Sequence, residues 1–201
     1  MTKNPESFYG LNYLNKVKGD TGGKTRFEDN GSNLQAALFV KRLMGTLAIS
    51  GRVLDVGCGR GFVVRHLRTL GIDAEGCEYS KEACDLSVCG ARQGDLTQRL
   101  PFKDGEFVLV YSLGVLSHPP EPSTDNALQE LHRISSGYLW TNILTGRHHL
   151  QQHHLTVKPP AWWIPRFESA GWRIENHDKL TSEFFADYGG QWKAVWKKSK
   201  V

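Results

Sequence analysis

The chain is poor in what a secreted, membrane-bound or metal-stapled protein needs. Its four cysteines, Cys58, Cys77, Cys84 and Cys89, show no Cys-x-x-Cys spacing. That argues against a structural zinc site or a dithiol redox motif. No apolar run approaches the roughly 20 residues of a membrane span; the longest clusters are of the kind AALFV. The start, MTKNPESFYG, has no apolar stretch after its lysine and so does not read as a secretory leader. Repeats and low-complexity segments are absent. The expectation is a cytosolic protein with reduced cysteines and no membrane partner.

What is present fits a globular enzyme. The 201 residues are 39% hydrophobic and 23% charged, the balance of a chain that can bury a core. A formal net charge of +4 gathers partly in the C-terminal WKAVWKKSK. Such a run can touch nucleic acid, but a solvated edge is the simpler reading, and a nucleic-acid partner is not favoured.

Residues 1–31 are glycine-rich and polar, with Phe8, Tyr9, Tyr13 and Phe27, and read as a lead-in or lid ahead of a domain at 32–201. A capping box at Ser32 and Gln35 opens a helix that carries Ala37, Val40, Met44 and Leu47 at helical spacing. Strand and helix then alternate. Strands are expected at Val53–Val56, Ala74–Cys77, Ala91–Gln93, Phe107–Tyr111, Gly137–Ile143, Trp172–His177 and Gln191–Trp196. Helices are expected over Phe62–Leu70, with Val63, Leu67 and Leu70 inward, from Lys81 to about Val88, from near Ser123–Asp125 with Ala127, Leu131 and Ile134 on one face, and from near Trp162 to Ala170. The last start is set by Pro165, which a helix tolerates only in its first turn. This pattern is that of an α/β fold with a mostly parallel sheet covered by helices on both faces.

The chemistry centres on VLDVGCGRGF. Gly57, Gly59 and Gly61 follow a strand and open a helix. The spacing misses the dinucleotide pattern GxGxxG, and no Lys-Ser/Thr follows as in a phosphate-binding loop. Asp55, two residues before the first glycine, would repel a pyrophosphate but could receive an ammonium group. Glu78, in GCEYS at the next strand end, is placed to accept both hydroxyls of a ribose. Asp95 in QGD lies where an adenine edge would fall. These three describe a ligand with an amino-acid end, a ribose and a purine.

DVGCGRG, GCEYS, QGD and LPFKDGEFVLVYSLGVLSH, in that order, resemble the class I S-adenosylmethionine-dependent methyltransferases, from about Gly51 to Trp196. The resemblance implies S-adenosylmethionine as cofactor and a Rossmann-like seven-stranded sheet whose last strand, near Trp192–Trp196, is antiparallel. It puts Asp55, Gly57, Cys58, Gly59 and Gly61 around the methionine moiety. It sets Glu78 and Tyr79 beside ribose and adenine, Asp95 and Leu96 at the adenine edge, and Ser112, Leu113 and Gly114 along the cofactor. Tyr9 and Tyr13 resemble an aromatic lead-in that folds over it.

For the methyl acceptor, SLGV after the fourth strand lacks the Asn/Asp-Pro-Pro-aromatic motif of base-amine methylation, and no cysteine lies there for cytosine-carbon chemistry. An oxygen or nitrogen of a small molecule, a sugar or secondary metabolite, remains the expectation. Histidine is the natural proton acceptor near neutrality. His118 follows the fourth strand, and His148, His149, His153 and His154 cluster after the fifth. His118, His149 and His153 are the candidate bases. His149 and His153 have helical metal-pair spacing, but no third ligand is close in sequence, so no metal is expected. Asn142, His148, His154, Trp162 and Trp163 are candidate acceptor contacts, with one of the two tryptophans assigned to the core.

Overall fold

The computed structural model describes residues 29, 31–146, 154–175, 186–188 and 190–199. The elements run α1 (Gly31–Thr46), β1 (Val53–Val56), α2 (Phe62–Thr69), β2 (Ala74–Glu78), α3 (Lys81–Asp85), β3 (Arg92–Gln93), β4 (Phe107–Leu113), α4 (Thr124–Ile134), β5 (Ser135–Leu144), α5 (Pro160–Ser169), β6 (Trp172–Ile174), β7 (Ala186–Tyr188) and β8 (Gln191–Lys198). Seven strands follow the path β3-β2-β1-β4-β5-β8-β6. β1 to β5 are parallel to one another, while β8 runs antiparallel to both β5 and β6. This is the sheet the resemblance implied, with the antiparallel strand spanning Trp192–Trp196. An eighth strand, β7, was not anticipated; it makes a hairpin with the start of β8.

Side chains alternate across the sheet and fill two cores. On one face Val53, Leu109, Tyr111, Trp140 and Val195 pack under Val40, Leu43 and Met44 of α1 and Val64 and Leu67 of α2. On the other, Leu54, Val110, Leu139, Ile143, Trp192 and Trp196 meet α4 and α5. Trp196 stacks on Phe167 with centroids 3.9 Å apart. The indole N–H groups buried on this side find acceptors, Trp196 in Thr141 Oγ1 at 3.1 Å and Trp172 in the Leu128 carbonyl at 3.4 Å. Burial therefore costs these rings no unmade hydrogen bond.

Several boundaries move for local reasons. α1 already includes Ser32 in its first turn. α2 turns Val64 and Leu67 inward and leaves Val63 and Leu70 half-buried. α3 stops at Asp85, short of Val88. Ser87 Oγ captures the amides of Cys89 and Ala91 at 3.2 and 3.0 Å, and such a side chain competes with helix continuation. α5 begins at Pro160, whose fixed φ suits a first helical residue, so Pro165 lies inside the helix and not in its first turn. Lys193, Lys197 and Lys198 sit on β8, and Lys198 Nζ donates to the carbonyls of His132 and Ser135, both at 2.8 Å, at the end of α4. Among the described residues no helix is long and apolar enough to cross a membrane.

Candidate functional site

The strand order reverses between β1 and β4, and the glycine turn leaves β1 at that point. Open α/β sheets bind ligands in the crevice so created, at the carboxyl ends of the strands. The amides of Gly57 and Cys58 both donate to the Cys77 carbonyl, at 2.8 and 3.1 Å, which ties the turn to β2. Gly57, Gly59 and Gly61 all have positive φ. A Cβ on Gly57 would stand 2.2 Å from Val115 Cγ2, and one on Gly61 would stand 2.2 Å from Cys89 Sγ. Two of the three glycines are therefore bare because the chain's own side chains press on them.

Gly59 serves differently. Its amide donates to Glu78 Oε2 at 2.8 Å, while the Ser80 amide donates to Oε1 at 2.9 Å. The Glu78 carboxylate is thus fixed at the end of β2, and each oxygen keeps a lone pair for a further donor. Ser80 in turn caps α3, accepting from the Ala83 amide at 3.2 Å.

Asp55 lies on the floor of the crevice, 5% exposed, opposite Tyr111 in the β1–β4 register. Burial pushes its carboxyl up to about 8; the Tyr111 hydroxyl opposes the rise, and Cys89 and Glu78 add to it. The phenol makes no hydrogen bond of normal geometry and is itself raised, burial first and Asp55 second. Asp55 was expected as a standing negative charge. Desolvation makes it a conditional one, neutral at pH 7 until a cation faces it.

At the ends of β2 and β3, Gln93 Nε2 donates to the carbonyl of Tyr79 at 3.3 Å. Asp95 Oδ1 accepts from the Thr97 amide and hydroxyl, both at 2.8 Å, closing a tight local turn. Leu96 buries its side chain in the core with Leu100 and Phe102, so its backbone is what it can offer a ligand.

The carboxyl ends of β4 and β5 hold a group of buried polar atoms. Ser112 Oγ, Ser117 Oγ and Asn142 Oδ1 have no hydrogen-bond partner among the described residues. Ser112 and Ser117 are 0% exposed, so each is a donor awaiting an acceptor or an ordered water. The Asn142 amide nitrogen reaches Gln191 Oε1 at 3.1 Å. Leu113, the cross-strand partner of Asn142, packs against the apolar core. Gly114, with φ 75° and open space where a Cβ would be, donates its amide to the Asn142 carbonyl at 2.7 Å. Ser117, although it lies in LPFKDGEFVLVYSLGVLSH beside His118, and Gln191, which stands in no motif, were not among the expected site residues.

His118 and His154, expected in separate roles, are brought together. Their rings lie 4.5 Å apart at 35°. Thr156 staples the two segments, its amide donating to the Ser117 carbonyl at 3.0 Å and its hydroxyl to the Pro119 carbonyl at 2.7 Å. Trp163 is the core tryptophan, fully buried with its indole N–H on the Lys158 carbonyl at 3.1 Å, and it has no surface for an acceptor. Trp162 is half-buried; Arg166 lies 3.6 Å over its ring and the Trp163 edge packs at 5.0 Å. Those contacts pack Trp162 against its own helix. Tyr9, Tyr13, His148, His149 and His153 lie outside the described residues. Among the described residues no three metal-binding side chains converge. An open recess of about 580 Å³ bears Arg92, Arg99 and Lys103 but no residue of the glycine turn. Its arginines already face Glu75 and Asp104, which makes it no rival to the crevice.

Residues 54–140 match the family described as "Methyltransferase domain". By sequence, no curated protein matches the chain. Among solved structures, the CcbJ methyltransferase from Streptomyces caelestis superposes with a TM-score of 0.71 at 16% identity, over 97% of this chain and 99% of that one. Magnesium protoporphyrin IX methyltransferase from Synechocystis PCC 6803, with bound SAH, gives 0.66 at 15% identity, over 97% and 98%. PH0226 protein from Pyrococcus horikoshii gives 0.67 at 14%, over 96% and 99%. At such identities the likeness is one of fold.

Proposed function

With a methyltransferase domain over residues 54–140 and the class I methyltransferase fold as premise, we propose that this protein transfers the methyl group of S-adenosylmethionine to an oxygen or nitrogen of a small-molecule acceptor. The acceptor class is a sugar or secondary metabolite. The observation that carries the reading is the carboxylate of Glu78, held by two backbone amides at the end of β2 with lone pairs to spare for paired hydroxyls.

The residues fit such a cofactor. Glu78 accepts the ribose hydroxyls, Tyr79 and Asp95 border the adenine, and the Gly57–Gly61 turn with Cys58 encloses the amino-acid end. Asp55 receives the ammonium, directly or through water. Ser112, Leu113 and Gly114 line the crevice, and the unmade hydrogen bond of Ser112 is the kind a ligand completes. Bound there, S-adenosylmethionine supplies an electrophilic methyl group on a good leaving group.

The chain's own task is alignment and removal of a proton. Rigid strand ends hold the acceptor in line, and such positioning accounts for up to about 7–11 kcal/mol of a barrier. His118, braced by His154, takes the proton from a hydroxyl acceptor, worth typically about 10²–10⁴-fold. Asn142 and Ser117 orient the acceptor through their open valences.

Calorimetry with S-adenosylhomocysteine tests the cofactor site. Glu78→Ala should weaken binding at least tenfold, because two ribose hydroxyls lose their acceptor; unchanged affinity removes the ribose assignment. His118→Ala should bind normally and turn over slowly on an acceptor found by panel screening. Full activity at saturating cofactor would discard His118 as base, and tight cofactor binding without turnover on any acceptor would leave a non-catalytic binding module.

A further inference from the structure

Two of the four cysteines, separated by 30 residues in sequence, meet behind the glycine turn. Cys58 sits within the turn, between Gly57 and Gly59, and Cys89 arrives on the loop after α3. A Cβ on Gly76 would stand 2.6 Å from Cys58 Sγ and 3.2 Å from Cys89 Sγ, so both sulfurs converge over one bare position of β2. Cys89 Sγ also occupies the space that a Cβ on Gly61 would need. The other two thiols face elsewhere. Cys77 is buried in the opposite core, and Cys84 Sγ donates to the Glu78 carbonyl at 3.6 Å.

We infer that Cys58 and Cys89 are an oxidation site, closing to a reversible disulfide in the presence of a peroxide and thereby disabling the glycine turn. The facing Cys58 thiol, with help from Ser87 and Arg68, pulls Cys89 down against its burial, while the same contact pushes Cys58 up. Cys89 is therefore the thiol of the pair that ionises first. The Ser87 hydroxyl lies 3.3 Å from Cys89 Sγ, and Arg68 reaches the Cys89 carbonyl at 2.8 Å. Cys89 attacks hydrogen peroxide, the O–O bond breaks, and a sulfenic acid and hydroxide result. The Cys58 thiol then attacks that sulfenic sulfur, the S–OH bond breaks, and water leaves. In sum, two thiols are oxidised and one peroxide is reduced to two waters.

The bond that forms is only about 2.0 Å long, so it draws together sulfurs that now converge, unbonded, over Gly76. Cys58 cannot follow without disturbing its amide bond to the Cys77 carbonyl and the adjoining Gly59 bond to Glu78. Oxidation should thus release the carboxylate from its support. This consequence rests on the cofactor assignment above; the disulfide itself does not.

The test is peroxide treatment of the folded full-length chain, followed by non-reducing peptide mass mapping and S-adenosylhomocysteine calorimetry. The expected result is a Cys58–Cys89 cross-link that dithiothreitol reverses, absent in Cys89→Ser and Cys58→Ser and retained in Cys84→Ser. Affinity should fall at least tenfold on oxidation and return on reduction. No Cys58–Cys89 link in the folded wild-type protein overturns the site, and a link with unchanged affinity overturns the switch. Reduced protein that ignores S-adenosylhomocysteine, with the link still formed, would instead sink the methyl-transfer reading.

Discussion

Asp55 shows how far a residue's role depends on where its chain folds. An unfolded aspartate ionises near 3.9, whereas burial holds Asp55 protonated up to about 8. The folded state therefore binds a proton that the unfolded state has released, and its stability falls as pH rises between those values. Below the unfolded pKa the contribution is complete; above about 8 it is gone. Asp55→Asn, which cannot ionise, should remove this dependence. The stability difference between the two proteins should move in favour of the variant by up to about 1.4 kcal/mol per pH unit across that window. Urea unfolding at a series of pH values measures it, and a pH-independent difference would show that Asp55 ionises normally. Gly57 offers a second test, since any side chain there meets both a positive φ and Val115. Gly57→Ala should cost about 1–2 kcal/mol from the left-handed backbone alone, and more from the clash. Adding Val115→Ala should recover the clash and leave the backbone cost. No recovery in the double variant would mean that the two positions do not touch.

At the scale of elements, β1, the glycine turn and α2 could be read directly, because an apolar run, three glycines and a helical repeat follow one another without interruption. Glu78 could be read because it stands at a strand end at a fixed remove from those glycines. What failed to show shares one property: it depends on contacts distant in sequence or on competing local hydrogen bonds. Ser87 ends α3 by capturing two amides, and its residue type alone does not say which amides it will take. β7 exists through pairing with β8. Cys58 meets Cys89, and His118 meets His154, only after the sheet has assembled. Thr156 is the device that joins the last pair, and it bore no motif. Thr156→Val keeps the shape and deletes the hydroxyl bond to the Pro119 carbonyl. It should cost about 1 kcal/mol of stability and, by letting His154 drift, lower kcat while cofactor affinity stays the same. Equal loss of kcat and affinity would show a general disturbance and not a positioning role.

Across the whole molecule the two ends of the sheet divide the work. The carboxyl ends carry a glycine-rich turn that costs backbone entropy, unmade hydrogen bonds and a carboxyl of displaced pKa, all costly to stability. The amino ends carry compensating order. Arg52, just before β1, hydrogen-bonds Glu75 of β2 and Glu106 at the entry to β4, and lies 3.4 Å from Asp73. One guanidinium thus ties three parallel strands at their origin, and Arg92 joins Glu75 from β3 at 3.3 Å. Arg52→Met should leave three carboxylates facing one another and lower stability at pH 7 by about 1–2 kcal/mol, a figure discounted for the solvent that reaches this partly exposed network. Glu106 is held below the usual carboxylate range, with the Lys103 amide and Arg52 outweighing its burial. Its share of the stability is therefore present above the unfolded pKa of about 4.3 and lost as pH falls through the lower folded one. The gap between wild type and Arg52→Met should accordingly narrow as the solution is acidified below about pH 4. Affinity for S-adenosylhomocysteine should not change, because the substitution lies at the far end of β1 from the glycine turn. A variant equally damaged in stability and affinity would show that the two ends of the sheet are coupled.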